Sequence, residues 1–303
     1  MIKINDRRLI LNRGETMTSI LQTMKFPGIL RFDDLKYKLL PTFLFFCVIL
    51  FGMTYTVFAG PEKIVIYFYS SETKINNFKS LKMEFDRWIS KSGPYEFQPF
   101  EDRETFERHI KGKNKCLLLL SSWHYSNIHK KYSLTPSLVG VRNGQNHQKR
   151  ILVAGKSDNM NSVVKGPVAS ASDVAYTRNV LRDMFADKNA ADIVRILTVP
   201  KEIDALMSVG FKMSKSALIT ENALSNLKML DPRLHSKMKT ITEGKASLLP
   251  ILAVPESFVK DAEKIVQIIK DLPNDSAGTN IVKMLDLDGW KTIDSSDKQK
   301  LEG

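Results

Sequence analysis

Apolar residues along this chain gather in short dense runs, and the stretches between them repeat at helical spacing. The run from Lys63 to Tyr69 (Lys-Ile-Val-Ile-Tyr-Phe-Tyr) predicts a buried strand, with Ser70-Ser71-Glu72-Thr73 as the turn that follows. After Asn77, the residues Phe78, Leu81, Phe85, Trp88 and Ile89 mark one face of a helix that Gly93-Pro94 stops. Residues 95–100 alternate as a second strand, 102–110 form a short helix with Phe106 and Ile110 inward, and 116–120 are a third strand. The stretch 121–146 is polar and without clear period, which reads as a long surface loop with one or two turns.

The same alternation continues. Strands are expected at 150–154, 195–199, 217–220 and 248–254, and a short apolar stretch at 164–169 is broken by Gly166-Pro167. Ser172 or Asp173 caps a helix whose inner face is Val174, Thr177, Leu181, Met184 and Phe185. Further helices are expected at 202–209 and 259–269, and the charged tail from 294 is expected to fray. Strands separated by helices over some 240 residues imply an α/β fold with mainly parallel sheets.

One run changes the picture of where the protein lives. Residues 39–61 carry no charge, and 23 residues are about enough to cross a bilayer. Eight basic residues against four acidic precede the run, a bias that keeps the N-terminus in the cytoplasm and sends the rest across. Two readings stay open. Val57-Phe58-Ala59 suits cleavage of a signal peptide before Gly60, whereas the long n-region, which a start at Met24 would shorten, suits an uncleaved membrane anchor. Bulky Phe46 argues against lipid attachment at Cys47.

Composition then excludes more than it selects. The 303 residues carry 45 Lys+Arg against 33 Asp+Glu, for a formal charge of +12. The basic excess is scattered, which speaks against nucleic acid and only permits an anionic ligand. Two Cys rule out a disulfide scaffold, and Cys116, inside a Leu run, reads as a reduced core thiol. No Gly-x-Ser-x-Gly elbow and no phosphate loop occur, and the five His show no metal spacing, so neither an enzyme nor a cofactor or metal site is expected.

Short blocks in order resemble the phosphonate-type periplasmic substrate-binding proteins of ABC transporters, with the type 2 periplasmic-binding fold. They are Ser71-Glu72, Lys111-Gly112, Lys156-Ser157-Asp158, Lys165-Gly166-Pro167-Val168-Ala169, the strand 217–220 running into Glu221-Asn222-Ala223-Leu224, residues 249–255, and Leu287-Asp288-Gly289-Trp290. The resemblance implies two lobes, 60–153 with 249–303 and 154–248, behind a cytoplasmic n-region (1–38) and a signal or anchor (39–59). The chain would cross between lobes at 151–156 and 249–254.

It also implies a small, anionic, phosphonate- or phosphate-like solute and an ABC permease or membrane sensor as partner, in the periplasm, secreted or anchored to the cytoplasmic membrane. Ser172, Tyr176 and Thr177 would donate hydroxyls to the anion, Arg178 would clamp it and Glu221 would line the pocket, alongside Ser122 and Tyr125 of the turn after the third strand. Asp173, at the start of the same helix, sets a carboxylate where the anion would sit. The alternative is a membrane-tethered interaction or sensor protein with the same fold and a degenerate pocket.

Overall fold

Strand after strand here is apolar along its whole length, and the computed structural model, which describes residues 62–72 and 77–302, shows why. Each central strand is covered on both faces. The expected n-region, hydrophobic segment and cleavage point lie outside the described residues. Among the described residues no helix is long and apolar enough to cross a membrane.

The first half runs β1 (Ile64–Tyr69), α1 (Phe78–Ile89), β2 (Tyr95–Pro99), α2 (Arg103–Ile110), β3 (Cys116–Leu120), α3 (Ser122–Tyr132) and β4 (Leu134–Val141). The middle runs β5 (His147–Gly155), α4 (Met160–Val163), β6 (Val168–Ser170), α5 (Val174–Met184), α6 (Lys188–Ile193), β7 (Ile196–Thr198) and α7 (Glu202–Gly210). It continues through β8 (Ser216–Thr220), α8 (Glu221–Leu230), α9 (Pro232–His235) and β9 (Met238–Leu248). The chain then returns as β10 (Ile251–Pro255), α10 (Val259–Lys270), α11 (Ser276–Met284), β11 (Gly289–Thr292) and α12 (Ser295–Glu302).

These strands form two sheets, ordered β11-β4-β10-β3-β1-β2 and β7-β6-β8-β5-β9. The expectation of mainly parallel sheets needs correction, because both are mixed. β1 is parallel to β2 and β3, whereas β10 runs antiparallel to β3 and β4. In the second sheet β6 is parallel to β7 and β8, and β5 is antiparallel to β8 and β9. The returning strands reverse direction, and sequence periodicity does not record direction.

Alternation along β1 explains its unbroken hydrophobicity. Ile66 and Phe68 pack into one core with α1, α10 and α11, while Tyr67 and Tyr69 enter another with Phe100, Phe106 and α3. Phe85 of α1 stacks on Phe97 of β2 with ring centroids 4.1 Å apart. In the second sheet Ile151 and Val153 face α7 and α8, and Leu152 and Ala154 face α5.

Three local expectations also change. Residues 121–146 hold α3 and β4, not a loop. Ser121 caps α3 by accepting from the His124 amide, and the helix buries Ser122, His124, Tyr125, Ile128 and His129. The tail forms α12, pinned by Leu301 in the core. Finally, the position 153/154 and residues 151–155 of the expected crossing 151–156 belong to β5, which pairs along its length with β8 and β9. The passages between sheets are the turn after Val141 and the pair Leu249-Pro250, tied side by side by Leu249 N–H to Asn146 O (2.8 Å) and Gly140 N–H to Pro250 O (2.8 Å).

Gly278 in α11 tests the packing of the first half. A Cβ there would stand 1.8 Å from the Leu272 carbonyl oxygen. Gly278→Ala is expected to cost about 1–3 kcal/mol, read from urea unfolding, and an unchanged midpoint would contradict this close approach.

Candidate functional site

The end of β1 meets the start of α5 between the two sheets. Ser172 Oγ donates to the Glu72 carbonyl (2.7 Å), and the Asp173 amide donates to the Ser71 carbonyl (2.8 Å). Tyr69 O–H donates to Asp173 Oδ2 (3.0 Å). Behind it, His124 packs edge-on to Tyr69 with centroids 5.5 Å apart, and its Nε2 lies 3.2 Å from Glu107 Oε1. Burial keeps the His124 imidazole below its usual pKa, although Glu107 pulls the other way, so it serves as a neutral prop for the tyrosine.

The N-terminus of α5 is where an anion was expected. Asp173 Oδ1 instead accepts from the amides of Ala175 (2.7 Å) and Tyr176 (3.1 Å). A helix N-terminus offers free N–H groups and a positive dipole end, and here the chain's own carboxylate takes both. Thr177 Oγ1 donates to Ser170 Oγ (2.9 Å) and is fully buried. The hydroxyls of Ser172 and Thr177 thus serve the protein rather than face a cleft.

The centre of the junction belongs to a residue the sequence reading left inside a strand. Arg150, near the middle of β5, is 2% exposed. Its Nη1 pairs with Glu202 at the start of α7, and its Nη2 donates to the Glu72 carbonyl (2.9 Å) and lies 3.8 Å from Glu72 Oε2. Gln148 donates to the same Glu72 carboxylate. Glu202 Oε2 in turn accepts from Thr220 Oγ1 (2.6 Å), and the guanidinium stands 5.6 Å from the Tyr176 ring centroid. One cation therefore joins a carboxylate from each half. Burial pushes the Glu72 carboxyl above the usual range despite Arg150, and burial with Glu72 beside it raises Tyr176 also.

Of the remaining expected residues, Arg178, Glu221 and Tyr125 stand away from the cluster, and Ser122 lines a cavity beside Arg150 and Tyr176. Arg178 Nη1 donates to the carbonyls of Ala191 (2.9 Å) and Asp192 (2.5 Å), tying down the end of α6. Glu221 is exposed at the first turn of α8, and Thr220 before it is the residue that reaches the cluster. Ser122 Oγ donates to the Leu248 carbonyl (2.7 Å), and Tyr125 O–H to the Leu134 carbonyl (3.0 Å) and Glu302 (3.0 Å) within the first half. Of the seven, Ser172 and Tyr176 lie in the central cluster and Thr177 supports it from behind. Glu72, Arg150, Glu202 and Gln148 were missed as site residues. The one signal for Arg150 was a charge bordering an apolar strand.

No family model matches the sequence, and no curated protein is similar to it at a significant level. Solved structures are similar in fold. A Xanthomonas citri protein bound to ATP superposes with a TM-score of 0.59 at 11% identity, covering 79% of this chain and 94% of that one. The binding protein component of an ABC phosphonate transporter from Pseudomonas aeruginosa gives 0.57 at 12%, covering 79% and 84%. PhnD1 of Prochlorococcus marinus in complex with methylphosphonate gives 0.54 at 10%, covering 80% and 96%.

The chain has the type 2 periplasmic substrate-binding fold. In this binding fold the Arg150 cluster stands between two interlobe cavities. The larger, of about 510 Å³, is lined from the first half by Arg142, Asn77 and Asp286 and from the second by Lys201, Glu202, Thr220, Asn222 and Asn226. The smaller, of about 240 Å³, lies between α3, α5 and β9.

Two outcomes follow for the cluster. Arg150→Met leaves two carboxylates without their buried cation and is expected to lower stability by about 3–5 kcal/mol in urea unfolding. Glu72 binds its proton more tightly folded than unfolded, so its contribution to stability is present at low pH and is lost as the pH rises above the unfolded value of 4.5. Glu72→Gln removes that loss. Its stability relative to the parent is expected to rise from about pH 4 to about pH 7, and a flat difference would contradict a raised Glu72.

Proposed function

We propose that this chain is an exported solute-binding protein that closes its two halves on a small polar ligand and presents the closed form to an ABC permease. The observation that carries this reading is the larger interlobe cavity, because both halves contribute its hydrogen-bonding groups. Solved proteins of similar fold bind methylphosphonate or ATP, or belong to a phosphonate transporter, which supports a solute with an acidic group.

The lining refines that class. Arg142 is held by Asp286 at 2.7 Å, and Lys201 and Glu202 line the same cavity from the α7 side, two cations beside two carboxylates. Asn77, Gln148, Thr220, Asn222 and Asn226 add amides and a hydroxyl. Balanced charge with many neutral donors and acceptors suits a solute that combines an acidic group with hydroxyl or amino groups. A bare oxyanion at the start of α5 would have to displace Asp173, which already holds those amides.

A second reading has its own observation. Arg150 and Asp173 make the contacts between the halves that a ligand would otherwise make, which favours a membrane-tethered interaction or sensor protein closed without solute.

A thermal-shift panel of methylphosphonate, phosphate, alkylsulfonates, ATP, amino acids and sugar acids separates the two. A true ligand at 100 times its Kd adds about 2.7 kcal/mol, a rise of roughly 5–10 °C for a body of this size. Asn226→Trp, on the exposed face of α8, is expected to abolish that rise while leaving the unliganded Tm unchanged. A panel without any shift favours the second reading.

A further inference from the structure

The smaller cavity, on the β9 side of Arg150, takes no part in the solute-binding reading above. Trp123 of α3 and Tyr176 of α5 meet edge to face at its wall, with centroids 5.6 Å apart. One side is the β9 segment Gly244-Lys245-Ala246-Ser247, whose short side chains, apart from Lys245, leave the space open. A Cβ at Gly244 would stand 2.9 Å from Met184 Cε, the movable end of that side chain, and 3.3 Å from the Arg150 carbonyl oxygen, so the strand packs closely here.

Arg150 also borders this cavity, and its Nε–H is buried without any acceptor. A buried donor left unpaired is costly, so an acceptor supplied by a ligand gains more there than the same contact gains at the surface. The guanidinium charge is already met by Glu72 and Glu202, which favours a neutral acceptor over a second anion. Asp183 and Asn179 follow Tyr176 along the α5 face and offer acceptors to a ligand N–H, and Lys245 stands exposed beside them.

We infer that this cavity is a second binding site, for a neutral planar heterocycle carrying a carbonyl beside a ring N–H. The ring lies against Trp123, its carbonyl accepts from Arg150 Nε, and its N–H is directed to Asp183 or Asn179. Such a ligand touches both halves and the cation that joins them, so its binding favours the closed form.

Uracil and hypoxanthine are suitable probes, with the emission of Trp123 taken as the difference between the parent protein and Trp123→Phe. Saturable quenching at millimolar or lower concentration is expected. Ala246→Phe, at an exposed β9 position lining the cavity, is expected to weaken it at least tenfold without changing the Tm. Asn226→Trp, which blocks the larger cleft, is expected to leave probe binding by calorimetry intact, so failure of one site is distinguishable from failure of the other. Absence of saturable quenching, or quenching that persists in Ala246→Phe, overturns the inference.

Discussion

A guanidinium withdrawn from water must be matched by carboxylates and hydrogen bonds, or the fold gives way. Arg150 meets that demand with groups from both halves of the molecule: Glu72 at the end of β1 and Glu202 at the start of α7. The position of each follows from the apolar strand or the helix cap that carries it. Around them, Ser172, Gln148, Tyr176 and Thr220 complete the polar shell. A polar network this deep favours the arrangement of the halves described here, because sliding away from it strands a charge.

The cluster also reassigns the start of α5. Helix amides and a positive dipole end attract any anion within reach, whether it belongs to a ligand or to the chain. Asp173 is covalently present and so reaches them at a high effective concentration, and Tyr69 across the junction holds its second oxygen. Groups free of such an internal anion remain in the cleft beside Lys201, Asn222 and Asn226, the larger of the two interlobe cavities.

Much of the fold was legible in the sequence, and the reasons are specific. Runs such as Ile64 to Tyr69 and Leu117 to Leu120 admit no exposed face, and Asn77 and Asp173 mark helix starts as caps should. What escaped has reasons as well. The α3 segment Ser-Trp-His-Tyr-Ser-Asn-Ile-His buries His124 and His129 beside Tyr125, so polar residues sit where the helical pattern demands apolar ones. β4 carries Thr135-Pro136-Ser137, a turn-like string that edges or bulges tolerate, and the register indeed shifts beside Pro136. The site was less legible than the fold. Glu72 and Glu202 lie 78 and 52 positions from Arg150, and pairings that distant leave no periodic trace along the chain.

The neighbouring passages between the sheets bear on synthesis. Residues 147–248 are a single uninterrupted stretch, and the second sheet is complete once β9 is made. The first sheet must wait, since β10 lies between β3 and β4 and β11 lies outside β4. On a growing polypeptide the middle of the chain therefore reaches its final form before the beginning does. Until residue 255 emerges, β3 and β4 each present an open edge that a chaperone or a stray strand is free to occupy.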